Sequence, residues 1–288
     1  PPRFGPLEHQ VPVFLAHRIR PGVHLNEALS RPGPMGPQVG CAVLQYCVLQ
    51  HSPRATRRLA QFPGPSQAAT VHGPLCSDGG VVGVGAAVIV ATYQDPRGLE
   101  LCLEGFARQK TMPQEIAIAD DGSGPETRDL VNQWQERLPC PVHHLWHPDE
   151  GYRKAAISNK AVAVTTAKEL LFIDGDSIPH SLWVADHLQA ASEGEVRCGR
   201  RVNLGPTISP RVDTHMVAEG LLESLTGPVL YSALHGDTTR FPLGIRLPAV
   251  LARAIHHRPR KLMGVNFGVS RAAFEAINGY DMEWNFRR

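Results

Sequence analysis

The first 80 residues lack most of what a packed core requires. They contain no lysine and only three acidic residues, Glu8, Glu27 and Asp78, against seven arginines. They also carry 12 of the 25 prolines; each fixes φ and removes a backbone donor, which interrupts helices and strand ladders alike. Short apolar runs such as Cys41 to Leu49 have neither a helical nor an alternating period. Residues 1–80 are therefore expected to be an irregular or disordered extension, removable and without assigned function, with the folded domain at 81–288. No apolar run is long enough to cross a bilayer: Val81 to Ala91 falls short of the ~20 residues required. No basic segment followed by an apolar stretch and a small-residue cleavage site opens the sequence. The six cysteines, Cys41, Cys47, Cys76, Cys102, Cys140 and Cys198, contain no Cys-x-x-Cys pair, and they read as reduced structural thiols. A formal net charge of +2 gives no reason to expect a nucleic-acid partner. The expected location is cytoplasmic.

What is present begins near Val81. Val84 to Thr92 is a continuous apolar run ending in a polar turn, which suits a strand buried on both faces. Leu99, Leu103 and Phe106 then fall at helical spacing within Leu99–Gln109. A second strand is predicted at Glu115–Ala119, a helix at Glu126–Arg137 with Pro125 in its first turn, and a third strand at Val142–Leu145. A helix at Lys154–Thr166 and a strand at Leu170–Ile173 follow. After Pro179, Trp183, Leu188 and Ala191 suit a core-facing helix capped by Ser181, with His187 in packing or at the surface. Strands alternating with helices predict an α/β fold, a Rossmann-like, mostly parallel sheet flanked by helices, with right-handed crossovers. Ligands of such sheets sit beyond the carboxyl ends of the strands.

Three of those ends are polar: Thr92-Tyr93-Gln94-Asp95-Pro96, Asp120-Asp121-Gly122-Ser123 and Asp174-Gly175-Asp176-Ser177. Their five aspartates, gathered on one sheet edge, repel one another unless a cation or a donor-rich ligand occupies the site. A hard divalent metal suits such oxygen ligands and also bridges phosphates. One carboxylate of the second cluster could instead accept a hydrogen bond from a base N–H.

On these residues the chain resembles family 2 glycosyltransferases of the GT-A fold. VIVATYQDPRGLELCLEGFARQ is similar to that family's opening strand, loop and helix, and IADDGSG to its second strand and base-binding turn. GYRKAAISNKAV resembles the following helix, LLFIDGDSIPHSLWVADH the metal-binding Asp-x-Asp strand, and GVNFGVSRAAFEAINGYD the acceptor-side strand and helix. These segments cover roughly residues 84–281 in family order. The resemblance implies that Ala91, Thr92 and Tyr93 line the nucleotide pocket and that Asp121 accepts from the base. It places Arg153 and Asn159 near base, ribose or diphosphate. It makes Asp176 the principal ligand of a manganese or magnesium ion, with Asp174 supporting ribose or metal. Gln94 stands where asparagine is usual, so the amide is retained. It further implies a nucleoside-diphosphate-sugar donor, a glycan or lipid-linked hydroxyl acceptor, inversion, and work of the bacterial cell-surface polysaccharide type, extending to peripheral attachment at the inner face of the membrane. The family continues past Gly279-Tyr280-Asp281 into a Trp-Gly-x-Glu-Asp turn holding the catalytic base. Here Asp281-Met282-Glu283-Trp284-Asn285 follows instead, which reads as a C-terminal truncation with the base beyond the last residue; Asp281 and Glu283 are the substitutes within it.

Plainer readings stand beside these. Asp-Asp-Gly-Ser is in isolation a good turn. Gly80, Gly83 and Gly85 precede the first strand, and Val88 occupies the third glycine's place, which excludes a dinucleotide fingerprint. Cys140, His143, His144 and His147 lack zinc-site spacing, and His143 and His144 would point to opposite strand faces. From Thr238 to Phe274 there are seven basic residues and no acidic one, a solvated face or a patch for the leaving diphosphate or an anionic acceptor. A sugar nucleotidyltransferase would show a glycine- and basic-rich loop after the first strand, which Thr92 to Pro96 lacks. A non-catalytic nucleotide-sugar-binding protein is the remaining alternative.

Overall fold

The computed structural model describes residues 15–18, 43–46, 84–191, 195–223, 227–244, 264 and 266–282. The strands are β1 (Leu15–Arg18), β2 (Val43–Tyr46), β3 (Val84–Thr92), β4 (Pro113–Asp120), β5 (Val142–Trp146), β6 (Glu169–Asp174), β7 (Ser177–Pro179), β8 (Glu195–Cys198), β9 (Arg200–Asn203) and β10 (Asn266–Ser270). The helices are α1 (Pro96–Ala107), α2 (Pro125–Arg137), α3 (Lys154–Val164), α4 (Trp183–Gln189), α5 (Thr214–Ala218), α6 (Pro228–Leu234) and α7 (Arg271–Ala276). The larger sheet runs β1-β8-β10-β6-β3-β4-β5, and β7-β2-β9 form a second, three-stranded sheet.

The sheet is parallel through β6, β3, β4 and β5 and antiparallel where β10 and β8 extend it. The apolar runs predicted as doubly buried strands are buried on both faces. Ala86, Val88 and Val90 of β3, Ile116 and Ile118 of β4, and Leu171 and Ile173 of β6 join one core with residues of α1, α2 and α4. The intervening Ala87, Ile89, Ala117, Ala119, Leu170 and Phe172 join a second core with α3 and α7. Helix starts follow local chemistry: Asp95 caps α1 by accepting from the Gly98 N–H, and Pro96 and Pro125 occupy first-turn positions of α1 and α2. The C-terminal end of α3 is closed by Arg271, whose guanidinium donates to the carbonyls of Val162 and Ala167 and to the Thr165 hydroxyl, taking up carbonyls a helix end leaves open.

Two expectations change. Residues 15–18 and 43–46 are strands: β1 pairs with β8, and β2 lies between β7 and β9. Backbone pairing supplies there what side-chain periodicity did not announce. Ser181 does not cap α4; its hydroxyl donates to Glu223 at 2.8 Å and Leu182 precedes the helix. His187 is fully buried, edge-on to Trp183 and hydrogen-bonded to Asn266, so of its two expected places packing is the one it takes. The described cysteines, Cys102, Cys140 and Cys198, are buried and form no disulfide among the described residues. No helix among the described residues is long and apolar enough to cross a membrane.

Helix α1 is the bridge to the second sheet. Gly105 lies so close to β7 that a Cβ there would come within 2.7 Å of the Pro179 ring. Gly105→Val should therefore separate α1 from β7 and cost on the order of 1–3 kcal/mol, read as a lower midpoint in urea denaturation; an unchanged midpoint would mean that this contact is not tight in solution.

Candidate functional site

The ends of β3, β4 and β6 meet because β3 is the middle strand, with Ala91 in register with Asp174 and Thr92 with Asp120. Two further backbone bonds lock the edge: Asp121 N–H donates to the Thr92 carbonyl at 3.0 Å, and Gly175 N–H to the Ala91 carbonyl at 2.7 Å. A Cβ on Gly175 would lie 3.1 Å from Thr92 Cβ and 3.2 Å from the Ala91 carbonyl oxygen. The Asp-Gly-Asp turn thus keeps its glycine for close approach.

The five aspartates do converge on this edge, yet four already have protein partners. Asp95 accepts from Gly98 N–H at 2.9 Å. Asp120 is fully buried, accepts from Ser123 N–H at 2.8 Å and lies 3.0 Å from His144 Nε2. Burial works to raise its pKa, but the bonds from His144 and Ser123 outweigh this and hold it below the ordinary carboxylate value. Asp121 pairs with His147 Nε2 at 2.6 Å and accepts from Arg153 N–H at 2.9 Å. Asp174 forms an ion pair with Lys154, whose ammonium is held above its ordinary pKa because the attraction of Asp174 overcomes the opposing effect of burial. Asp176 is the exception. Its hydrogen bond among the described residues comes from the Ser177 hydroxyl at 3.2 Å, and its carboxyl is pushed up to about 6, first by burial and then by the neighbouring charge of Asp174.

The second turn is clamped by Gln94, which adopts a left-handed backbone at φ 50°. Its N–H donates to Ser123 Oγ at 2.9 Å, and its side-chain amide contacts the Gly122 carbonyl and the Gly124 N–H, each at 3.3 Å. Tyr93, Trp146 and Tyr152 are each about half exposed around this turn (53%, 52% and 51%); Tyr93 donates to Asp149 at 2.9 Å and Trp146 to the Ser123 carbonyl at 3.0 Å.

This edge, with its turns in order along successive parallel strands, is matched by a known family. Residues 87–246 fit the family model described as Glycosyl transferase family 2. The chain belongs to glycosyl transferase family 2. Relatives of this family 2 chain include validoxylamine A glucosyltransferase of Streptomyces hygroscopicus subsp. limoneus, 34% identical over 119 residues, 41% of this chain and 23% of the relative. Chondroitin synthase of Pasteurella multocida is 28% identical over 159 residues, 54% of this chain and 15% of the relative. The chain thus spans less than a quarter of the length of either. Among solved structures, mannosyltransferase PcManGT from Pyrobaculum calidifontis, in complex with GDP-Man and Mn2+, has a TM-score of 0.42 and 17% identity, with 70% of this chain and 48% of that one covered.

The expected site residues of this family 2 domain do not all face one space. Ala91, Thr92, Tyr93, Asp121, Asp174 and Asp176 share the strand-end edge. Arg153 meets it through its backbone N–H, while its guanidinium turns to the Pro148 carbonyl and Glu150, each at 2.6 Å. Asn159 spends its amide on the backbone of Tyr280, donating at 2.8 Å and accepting at 2.9 Å. It thereby positions the Tyr280 ring edge-on to Phe172, whose strand leads into Asp174, and the hydroxyl is pushed well above its ordinary value by burial and then by Asp174 and Tyr152. Asp281 is exposed; Glu283 and the basic stretch 253–261 lie outside the described residues.

Sequence reasoning missed the partners. Nothing in the sequence assigned a partner to Lys154 or to the three histidines, whereas Lys154 pairs with Asp174, and His143, His144 and His147 pair with Glu115, Asp120 and Asp121. The alternation of His143 and His144 along β5 was the one available signal, since it sends the second toward the neighbouring carboxylate. Among the described residues no three or more His, Cys, Asp or Glu side chains gather into a closed metal site. A half-buried carboxylate without a salt bridge among the described residues, beside a second one, still suits a hard ion that completes its shell from ligand oxygens and water.

A linkage prediction follows from Asp176. Its pKa is higher in the folded state than the ordinary 3.8, so the folded state binds its proton more tightly, and stability from this group rises as pH falls from 7 through about 6 toward 4. Asp176→Asn should therefore stabilise the metal-free protein at pH 7, on the order of 1–2 kcal/mol after allowance for partial exposure, and the gain should shrink toward pH 4. Urea denaturation with a chelator across that range measures it; a gain independent of pH would contradict the assignment.

Proposed function

We propose that this domain, residues 81–288 with an N-terminal extension, transfers a sugar from a nucleoside-diphosphate donor to a hydroxyl of a glycan or lipid-linked acceptor, with inversion. The observation that carries this reading is the charge pattern at the strand ends. Asp120, Asp121 and Asp174 are paired with His144, His147 and Lys154 and Asp95 caps a helix, whereas Asp176 forms no salt bridge among the described residues and accepts from the Ser177 hydroxyl. A manganese or magnesium ion held by Asp176, with Asp174 beside it, would supply positive charge for the leaving diphosphate.

The chain's own residues have separable roles. Tyr93 offers an exposed ring for the base, and Asp121 keeps a lone pair on each oxygen beyond its two present bonds, enough to accept from a base N–H. Lys154 fixes the Asp174 side chain through their ion pair. Asn159 sets the turn that carries Tyr280 and Asp281, and Asp281 is the candidate base for the attacking hydroxyl. A nucleotide-sugar donor together with a lipid-linked acceptor would place the reaction at the cytoplasmic face of a membrane.

Calorimetry with UDP and GDP plus Mn2+ tests the donor half. Asp176→Ala should abolish metal-dependent binding while the protein remains folded; unchanged affinity would sink the assignment. Asp281→Asn should leave that binding unchanged and lower transfer 10²–10⁴-fold, as loss of a general base does. Equal turnover would remove Asp281 from the mechanism, and donor binding without any transfer by a chain that also carries the family's Trp-Gly-x-Glu-Asp turn would favour a binding protein.

A further inference from the structure

We propose that Arg201 and Arg240 form an anion subsite beside the Asp174-Gly175-Asp176 turn that receives the phosphate or carboxylate of an acidic acceptor. The proposal rests on the reading of that turn as the donor site. It begins with strand geometry. In the smaller sheet, β7 leaves the Asp176 turn directly, and Arg201 of β9 is in register with Pro179 of β7 through Gln45 of β2. Two strand spacings, about 10 Å, therefore separate Arg201 from β7, and Asn203, two residues along β9, is in register through Val43 with Ser177, the residue after Asp176.

Burial alternates along β9: Arg200 and Val202 are buried, whereas Arg201 and Asn203 are partly open, so the latter pair shares the accessible face. On that face Asn203 exchanges two backbone bonds with Thr239, at 3.1 and 2.9 Å, and its amide reaches the Thr239 hydroxyl at 3.3 Å. This bridge brings Arg240, the next residue, to Arg201. The two guanidiniums are close enough that burial and then the charge of Arg240 lower the Arg201 pKa, while Asp174 and Asp176 act in the opposite sense. Arg201 Nε is also buried without a hydrogen-bond partner, and no carboxylate among the described residues forms a salt bridge to either arginine.

Two like charges, one with a buried and unmet donor, are costly to hold together until an anion arrives. Arginine suits that anion because its planar fork pairs two oxygens at once. The position also fits an acceptor better than the base end of a donor. Tyr93 and Asp121 lie toward β4 and β5, whereas β9 continues from β8 on the opposite side of β6.

The test uses the whole chain, loaded with Mg2+ and whichever of UDP or GDP it binds, and titrates inorganic phosphate by calorimetry. The loaded protein should bind phosphate. Arg201→Gln and the exposed Arg240→Gln should each weaken that binding at least tenfold and keep nucleoside-diphosphate affinity within twofold, and Arg201→Lys should fall between. The Arg240 variant decides the matter should the Arg201 variant not fold. Phosphate binding that is absent in the loaded wild type, or equal in wild type and variants, overturns the proposal. A parallel loss of nucleoside-diphosphate affinity overturns it too, by assigning the pair to the donor. If the wild type binds neither nucleotide, the donor-site reading is what fails, and phosphate titration of the unloaded protein with the same variants still decides the arginine pair.

Discussion

The site depends on β3 lying hydrogen-bonded between β6 and β4 with Ala91 opposite Asp174 and Thr92 opposite Asp120. That register carries three turns, separated by more than 80 residues of chain, to one edge. A slip of one residue would send every side chain of a strand to the other face, burying aspartates in one apolar core or the other. The near-continuous apolar character of β3, β4 and β6 therefore does more than fill space, because it fixes where the polar ends stop.

At that edge the protein treats its carboxylates unequally. Histidines from β5 and the loop after it satisfy Asp120 and Asp121, and Lys154 satisfies Asp174. Asp176 is left with a hydroxyl and with two influences, burial and Asp174, that disfavour its charge. A carboxylate held in this way destabilises the ligand-free fold and favours anything that brings positive charge. The raised pKa means that this residue costs stability at neutral pH, where its carboxylate is charged.

The smaller sheet and the antiparallel strands lie on the other side of β6. Asn266 ties this region together: its side-chain oxygen meets the Trp183 indole and His187, its amide donates to the Arg200 carbonyl, and its backbone oxygen accepts from Gly199. The junction between β8 and β9 is thereby fixed to the strand beside β6, so Arg201 has a defined place relative to the Asp176 turn. The Asp121 end of the edge and the Arg201 region are separated by strand order, on opposite sides of β6.

Much of this was legible in the residues alone. The apolar runs ending in Asp-Asp-Gly-Ser and Asp-Gly-Asp determined that successive parallel strands would deliver carboxylates to one edge, because period and turn chemistry are local properties. The helix start at Pro125 was legible for the same reason, whereas α1 begins at Pro96, ahead of the predicted Leu99. Pairing was not. That Lys154 serves Asp174, that His147 serves Asp121, that Asn159 holds Tyr280, and that residues 43–46 form a strand between β7 and β9 are all long-range facts. A lysine or histidine reads identically in sequence whether it faces water or a buried carboxylate. Only the packing of β5 and α3 against the strand ends decided which carboxylates have side-chain partners from those elements, and that Asp176 has none of them.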